Sequence, residues 1–220
     1  MPAPCYDTPV SFSAERDREL VSNAAKELGW PLEAPALEAV LRFVELVDTE
    51  NARTNLTGAR EPKALVDVLL ADAFVLAEPS CIPSGARVVD VGAGAGAPAL
   101  PLALLRPDLD VTLVEPRRLR VAFMRTAIGE LGLEQRARVE ERKLGATPLP
   151  GAPFDVAFSR ATFEPAAWLE RGLPLAPRLV VLTGADPLPQ KKKLAKLVAT
   201  RAYTLPGAGS PRQLGVYQRR

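Results

Sequence analysis

The run Asp90-Val91-Gly92-Ala93-Gly94-Ala95-Gly96 constrains this chain more than any other stretch. An apolar, β-branched segment, Ala86-Arg87-Val88-Val89, leads into it, and Ala-Pro-Ala-Leu-Pro-Leu-Ala-Leu-Leu follows as a helix opening. The pattern predicts a strand, a glycine turn and a helix. Glycine lacks Cβ, so the backbone can turn tightly and approach a ligand closely, and the helix N-terminus offers free N–H groups at the positive end of the dipole. The glycines recur at every second residue, which differs from the G-x-G-x-x-G spacing of dinucleotide-binding turns. Residues 110–115 read as the next strand. It ends in Glu115, a carboxylate about twenty residues beyond the last glycine, where α/β nucleotide folds place the acid that grips ribose hydroxyls.

Composition narrows the chemistry. The chain has no histidine, which excludes histidine triads, histidine general bases and histidine metal ligands together. Cys5 and Cys81 are too far apart in sequence for a metal motif, so no metal site is expected and a reduced, cytoplasmic chain is. The N-terminus carries early acids and no apolar core of a signal peptide, and no run is long enough to span a bilayer. A monomer without membrane contact is expected. The basic residues are unevenly spread: no acid follows Asp186, whereas Lys191, Lys192, Lys193, Lys196, Arg201, Arg212, Arg219 and Arg220 do. A second group, Arg117, Arg118, Arg120 and Arg125, follows the Glu115 strand. Such clustering suits an anionic partner such as RNA, or simply a solvated face.

Residues up to Pro9 read as a loose arm. Apolar periodicity predicts helices from Ser13 (a candidate N-cap) to Gly29 and over 34–48, a polar loop over 51–58, and a further helix starting at Glu61-Pro62. From Arg87 strands and helices alternate, which implies a mostly parallel sheet. Strands are expected over 87–91, 111–115, 137–140, 155–158 and 178–182, and helices over 98–105, 118–131, 164–172 and 188–198. Residues 199–204 and 213–218 are expected to close the sheet as an antiparallel pair.

Three motifs occur in order: Asn55-Leu56-Thr57 with Arg60-Glu61-Pro62; Val89 through Pro98; and Ser159-Arg160-Ala161. D-x-G-x-G-x-G resembles the first motif of S-adenosylmethionine-dependent methyltransferases, and the three together resemble the RsmG family, 16S rRNA guanine-N7 methyltransferases formerly called glucose-inhibited division protein B. The resemblance runs from about Leu41 to Gly184. It implies an α/β, Rossmann-like class I methyltransferase fold with a seven-stranded sheet at 81–220 and a helical extension at 1–80. It implies S-adenosylmethionine as cofactor, held by Asp90, Gly92, Ala93, Gly94, Gly96 and Ala97, with Glu115 on the ribose, Lys143 and Leu144 beside the adenine, and Arg160 at the methionine end or the target base. Asp90 is expected to orient both the glycine turn and the methionine end of the cofactor. Asn55 is either a donor to the base edge or a helix-ending residue. Phe163 is a stacking platform or a core residue. The implied partner is small-subunit rRNA or a ribosomal particle.

The chain departs from the family pattern where Leu144 replaces an acid, Val68 and Leu69 replace Arg-His, and Leu119 and Thr183 replace basic residues. A methyltransferase acting on another RNA or a small molecule, and a non-catalytic RNA-binding relative, are the alternatives these departures raise. Guanine N7 has a free lone pair and no proton to lose, so a chain without histidine can serve the reaction by positioning and water exclusion.

Overall fold

Alternating burial in the strands divides the interior into two layers, one on each side of a central sheet. Val88, Val111, Leu113, Phe158 and Val216 face one layer; Val89, Val91, Val114, Ala157 and Tyr217 face the other. This is the period of two that a sheet covered on both faces requires. The computed structural model describes residues 11–145, 147–190 and 193–220. The expected arm at the N-terminus lies outside them, as do Cys5, Lys191 and Lys192.

The strands are β1 (Arg87–Val91), β2 (Asp110–Val114), β3 (Ala137–Glu140), β4 (Val156–Ser159), β5 (Arg178–Thr183), β6 (Ala195–Thr204) and β7 (Pro211–Arg219). They form a seven-stranded sheet in the order β3-β2-β1-β4-β5-β7-β6. Pairs among β1 to β5 are parallel, and β7 runs antiparallel to both β5 and β6. The order reverses at β1 and β4, the switch point outside which open α/β sheets bind ligands.

The N-terminal helices α1 (Arg18–Glu27) and α2 (Ala34–Thr54) precede a rod made of α3 (Pro62–Val66), a π-helical turn (Asp67–Ala71) and α4 (Asp72–Leu76). They share one continuous apolar layer with α5 (Ala99–Leu105), α6 (Arg118–Glu130) and one sheet face. The second face is covered by α7 (Pro165–Gly172) and loops, with Trp168 buried and its Nε1–H donating to the Val180 carbonyl at 3.0 Å.

Three expectations need correction. Residues 188–198 do not form a helix; β6 begins at Ala195 and alternates in burial to Thr204. Leu194, Leu197 and Val198 mimic helical spacing, but Val198 sits at a bulge where the β6–β7 register shifts, and it is 46% exposed. Second, α2 continues through the expected loop to Thr54. Asn51 sustains it: the side chain donates to the Ala59 carbonyl at 3.1 Å and accepts from Thr57 N–H at 2.9 Å, so its polarity serves the next loop. Third, the first helix starts at Arg18, not Ser13, after a turn in which the Asp17 carboxylate accepts from Ser13 N–H at 2.9 Å.

Two buried acids tie the rod to the last hairpin. Asp67 accepts from Gly207 N–H at 2.9 Å and from Ala208 N–H at 2.7 Å. Asp72 accepts from the Tyr203 hydroxyl and pairs with Arg160. Replacing Asp67 with Ala leaves two N–H groups without their acceptor, and the unfolding free energy is expected to fall by about 1–3 kcal/mol. Urea titration should show a lower midpoint at unchanged slope.

Candidate functional site

The glycine turn is pinned at its start by one carbonyl. Val114, the last residue of β2, accepts from Gly92 N–H at 2.8 Å and Ala93 N–H at 3.1 Å. The turn then closes through Gly96 N–H to the Ala93 carbonyl at 2.8 Å, and the Gly96 carbonyl starts α5 by accepting from Leu100 N–H at 2.7 Å. Gly92 and Gly96 have φ of 85° and 86°. A Cβ on Gly92 would fall 2.0 Å from Thr162 Oγ1, and one on Gly96 would fall 2.6 Å from Leu100 Cδ1. Both positions demand glycine twice over, by backbone and by contact.

Glu115 lies under this turn and is buried. Its Oε2 accepts from Gly94 N–H and its Oε1 from Arg117 N–H, both at 3.0 Å. Each oxygen keeps a lone pair for a further donor. The structure therefore brings Glu115 to the glycines, as the spacing suggested. Asp90 behaves differently from expectation. It makes no hydrogen bond to the turn: both carboxyl oxygens are buried without a partner. The Val114 carbonyl and Glu115 do the orienting instead. Burial pushes the Asp90 carboxyl up to about 8, Arg160 opposing the rise and Glu115 adding to it.

A cleft of about 200 Å³ opens over the turn, lined by Gly92, Ala93, Gly94 and Ala97 and bounded by Arg120, Arg160 and Thr162. Leu56, Thr57, Val68 and Leu69 line it from the helical extension. Asn55, one residue earlier, does not. It ends α2 in the left-handed conformation at φ 48°, and its side chain accepts from Arg60 at 2.8 Å. Lys143 and Leu144 follow β3 at the carboxyl end of the sheet and line neither this cleft nor its neighbour; Leu144 packs on the second apolar layer.

Arg160 forms a partition. Its Nη1 donates to the Val68 carbonyl and to Asp72 Oδ2, the latter at 3.1 Å. Beyond it lies a larger cavity of about 420 Å³ between the rod and the ends of β5, β6 and β7, and Val68, Arg160 and Ala161 line both spaces. Ala161 holds φ at 54°, uncommon for a residue with a Cβ, and carries the chain sharply from β4 past the cleft. Phe163 is half-buried: it packs on the second apolar layer and also lines the larger cavity, stacks on Trp168 with centroids 5.7 Å apart, and has the Arg171 guanidinium 5.5 Å from its ring centroid. Leu119, by contrast, is 66% exposed beside Arg117 and Arg118.

Sequence reasoning missed Asp72, Tyr203, Thr162 and Asn51. Two acids in the apolar stretch Leu65–Leu76 were a visible sign that something basic or hydrogen-bonding must meet them. Nothing local pointed to Tyr203.

The family profile for "GidB: rRNA small subunit methyltransferase G" matches residues 36–201. The chain belongs to this family. A Chromohalobacter salexigens relative, named ribosomal RNA small subunit methyltransferase G, is 34% identical over 194 residues, covering 86% of this chain and 90% of the relative. Relatives of the same name from Frankia alni and Mycobacterium leprae are 40% and 44% identical, and the chain spans 53% and 56% of their lengths. Among solved structures, an uncharacterized protein from Listeria monocytogenes superposes with a TM-score of 0.53 at 13% identity, covering 68% of this chain and 67% of that one. The Bacillus subtilis m1A22 tRNA methyltransferase does so with a TM-score of 0.50 at 16% identity, covering 67% and 65%. The two structures share the α/β fold of this chain, whose sheet has the Rossmann-like order given above. No helix among the described residues is long and apolar enough to cross a membrane, and no group of three or more His, Cys, Asp or Glu side chains among them could hold a metal.

The raised Asp90 carboxyl has a consequence for stability. Its folded value of about 8 exceeds the ordinary 3.8, so between these values the folded chain holds a proton that the unfolded chain has lost. The contribution is complete below about pH 4 and disappears as pH rises through about 8. Denaturation across this range should show wild-type stability declining more steeply with pH than that of Asp90→Asn.

Proposed function

We propose that this GidB-family chain transfers a methyl group from S-adenosylmethionine to N7 of a guanine in 16S rRNA. The observation that carries the reading is the buried, unpartnered Asp90 carboxyl at the end of β1, beside the Gly92–Gly96 turn and the Glu115 carboxylate. A buried polar group without a partner is costly unless a ligand completes it. The donor set suits a nucleoside with a cationic tail: Glu115 for the ribose hydroxyls, Asp90 for the methionine end, and a turn whose glycines keep side chains out of the way. When bound, the cofactor supplies an electrophilic methyl on a sulfonium.

The protein's own contribution is positioning. Guanine N7 offers an in-plane lone pair, so a methyl donor held by Asp90, the Gly92–Gly96 turn and Glu115 would supply the whole of the chemistry that the base requires. No side chain has to remove a proton. Arg160 stands between the two cavities, fixed by Val68 and Asp72, and there it sets the angle at which base and donor meet. Leu69 and Val68, apolar where the resemblance leads one to expect Arg-His, wall the cleft and exclude water. The exposed arginines at 117 and 118 supply a basic lip for the RNA backbone.

Labelled S-adenosylmethionine with small-subunit particles lacking the modification should yield 7-methylguanosine in 16S rRNA, mapped by mass spectrometry. Absence of label with correctly assembled particles would overturn the assignment. Arg160→Ala is expected to lower kcat/KM roughly a hundredfold through lost positioning. A cationic ligand also favours the ionised form of Asp90. Binding at pH 7 should release a proton, seen as a dependence of calorimetric heat on buffer ionisation enthalpy that Asp90→Asn abolishes.

A further inference from the structure

The larger cavity lies beyond Arg160 from the glycine turn, and its wall has a specific hydrogen-bonding character. Four carboxylates and two guanidiniums line it. Two of the acids are committed to the fold: Asp67 to the Gly207 and Ala208 amides, Asp72 to Tyr203 and Arg160. Glu164, Asp186 and Arg212 remain, and among the described residues their charged groups make no hydrogen bond or ion pair. Arg212 comes from β7, beside the Thr183–Gln213 pair, and its guanidinium lies against Gly184, where a Cβ would be 2.9 Å from Nη1. Asp186 is two residues further along the same loop, which is held by the Thr183 hydroxyl donating to the Asp186 carbonyl at 3.0 Å. A free donor and a free acceptor thus share one wall, and Leu182, Tyr203, Leu205 and Pro165 supply apolar surface around them.

We propose that this cavity receives the base presented for methylation and selects guanine, with Asp186 accepting from N1–H and the 2-amino group and Arg212 donating to O6. This rests on the methyltransferase reading above and names the groups that choose its substrate. Bases drawn out of an RNA are read on the Watson–Crick edge. Guanine presents there two adjacent donors and one acceptor, the complement of a carboxylate next to a guanidinium. Adenine presents a donor and a lone pair, and a carboxylate facing that lone pair is repelled. With N1–H and the 2-amino group held by Asp186, N7, on the neighbouring edge beside O6, stays uncovered for a methyl donor held at the glycine cleft. The excess of carboxylates suits the product as well. Methylation at N7 leaves the base cationic, and a wall with more acids than bases stabilises charge arriving there.

The test uses the full chain saturated with S-adenosylhomocysteine, titrated with GMP, IMP and AMP. Wild type should bind GMP about tenfold or more tighter than AMP, with IMP between them because it lacks the 2-amino group. Asp186→Ala should remove the difference between GMP and IMP, and Arg212→Ala should weaken both alike, while Arg212→Lys restores part of the loss. In transfer to small-subunit particles, each alanine variant should lower kcat/KM about tenfold or more without changing S-adenosylhomocysteine affinity or the melting temperature. Equal binding of GMP and AMP, or wild-type kcat/KM in both alanine variants, overturns the proposal. Failure of S-adenosylhomocysteine to bind wild type would instead overturn the cofactor reading, so the two failures are distinguishable.

Discussion

Asp72 joins three distant parts of the chain through one carboxylate. Oδ1 accepts from Tyr203 on β6, Oδ2 pairs with Arg160 after β4, and the residue itself sits at the start of α4 in the N-terminal rod. Burial, reinforced by this neighbouring carboxylate, raises the Tyr203 hydroxyl far above its ordinary range, so it stays a donor. A buried acid without such partners would be strongly destabilising. With them, it fixes the angle between helical extension and sheet, and so the distance between the wall of the glycine cleft and the wall of the larger cavity. Arg160 faces both spaces because Asp72 holds it there.

The side of the glycine turn is built mainly from backbone. Val114 takes two amides of the glycine turn, Glu115 takes a third, and the next turn leads into α5. Such a site depends little on side-chain identity beyond the glycines and two acids. The larger cavity, by contrast, is assembled from side chains on the rod, the loop after β4, the end of β5 and the β6–β7 hairpin. Of the departures, Thr183 falls on that side and braces a loop, Val68 lines both spaces, and Leu69 lines the glycine cleft.

The division explains what the sequence revealed. The bounds of β1 follow directly from a short β-branched run that ends at the glycine turn, and the position of Glu115 at the end of the next strand follows from the loop-and-acid spacing. These are local patterns with one structural solution. Residues 194–198 have apolar spacing that suits a helix equally well, and only pairing with β7 decides for the strand. Asn51 looked like a loop residue because its side chain does hold a loop, while its backbone remains helical. The Asp72–Tyr203 contact spans 131 positions in sequence, and no periodicity encodes it.

The π-helical turn at Asp67–Ala71 has a bearing on how this lineage can vary. In a regular α-helix each residue advances the direction by ~100°, so acids five apart would diverge by roughly 140°. The wider turn narrows that divergence and lets Asp67 and Asp72 both reach the last hairpin. The rod is therefore intolerant of length change at this place: losing one position would swing the whole preceding segment, with the loop that borders the cleft, about a quarter of a revolution around its axis.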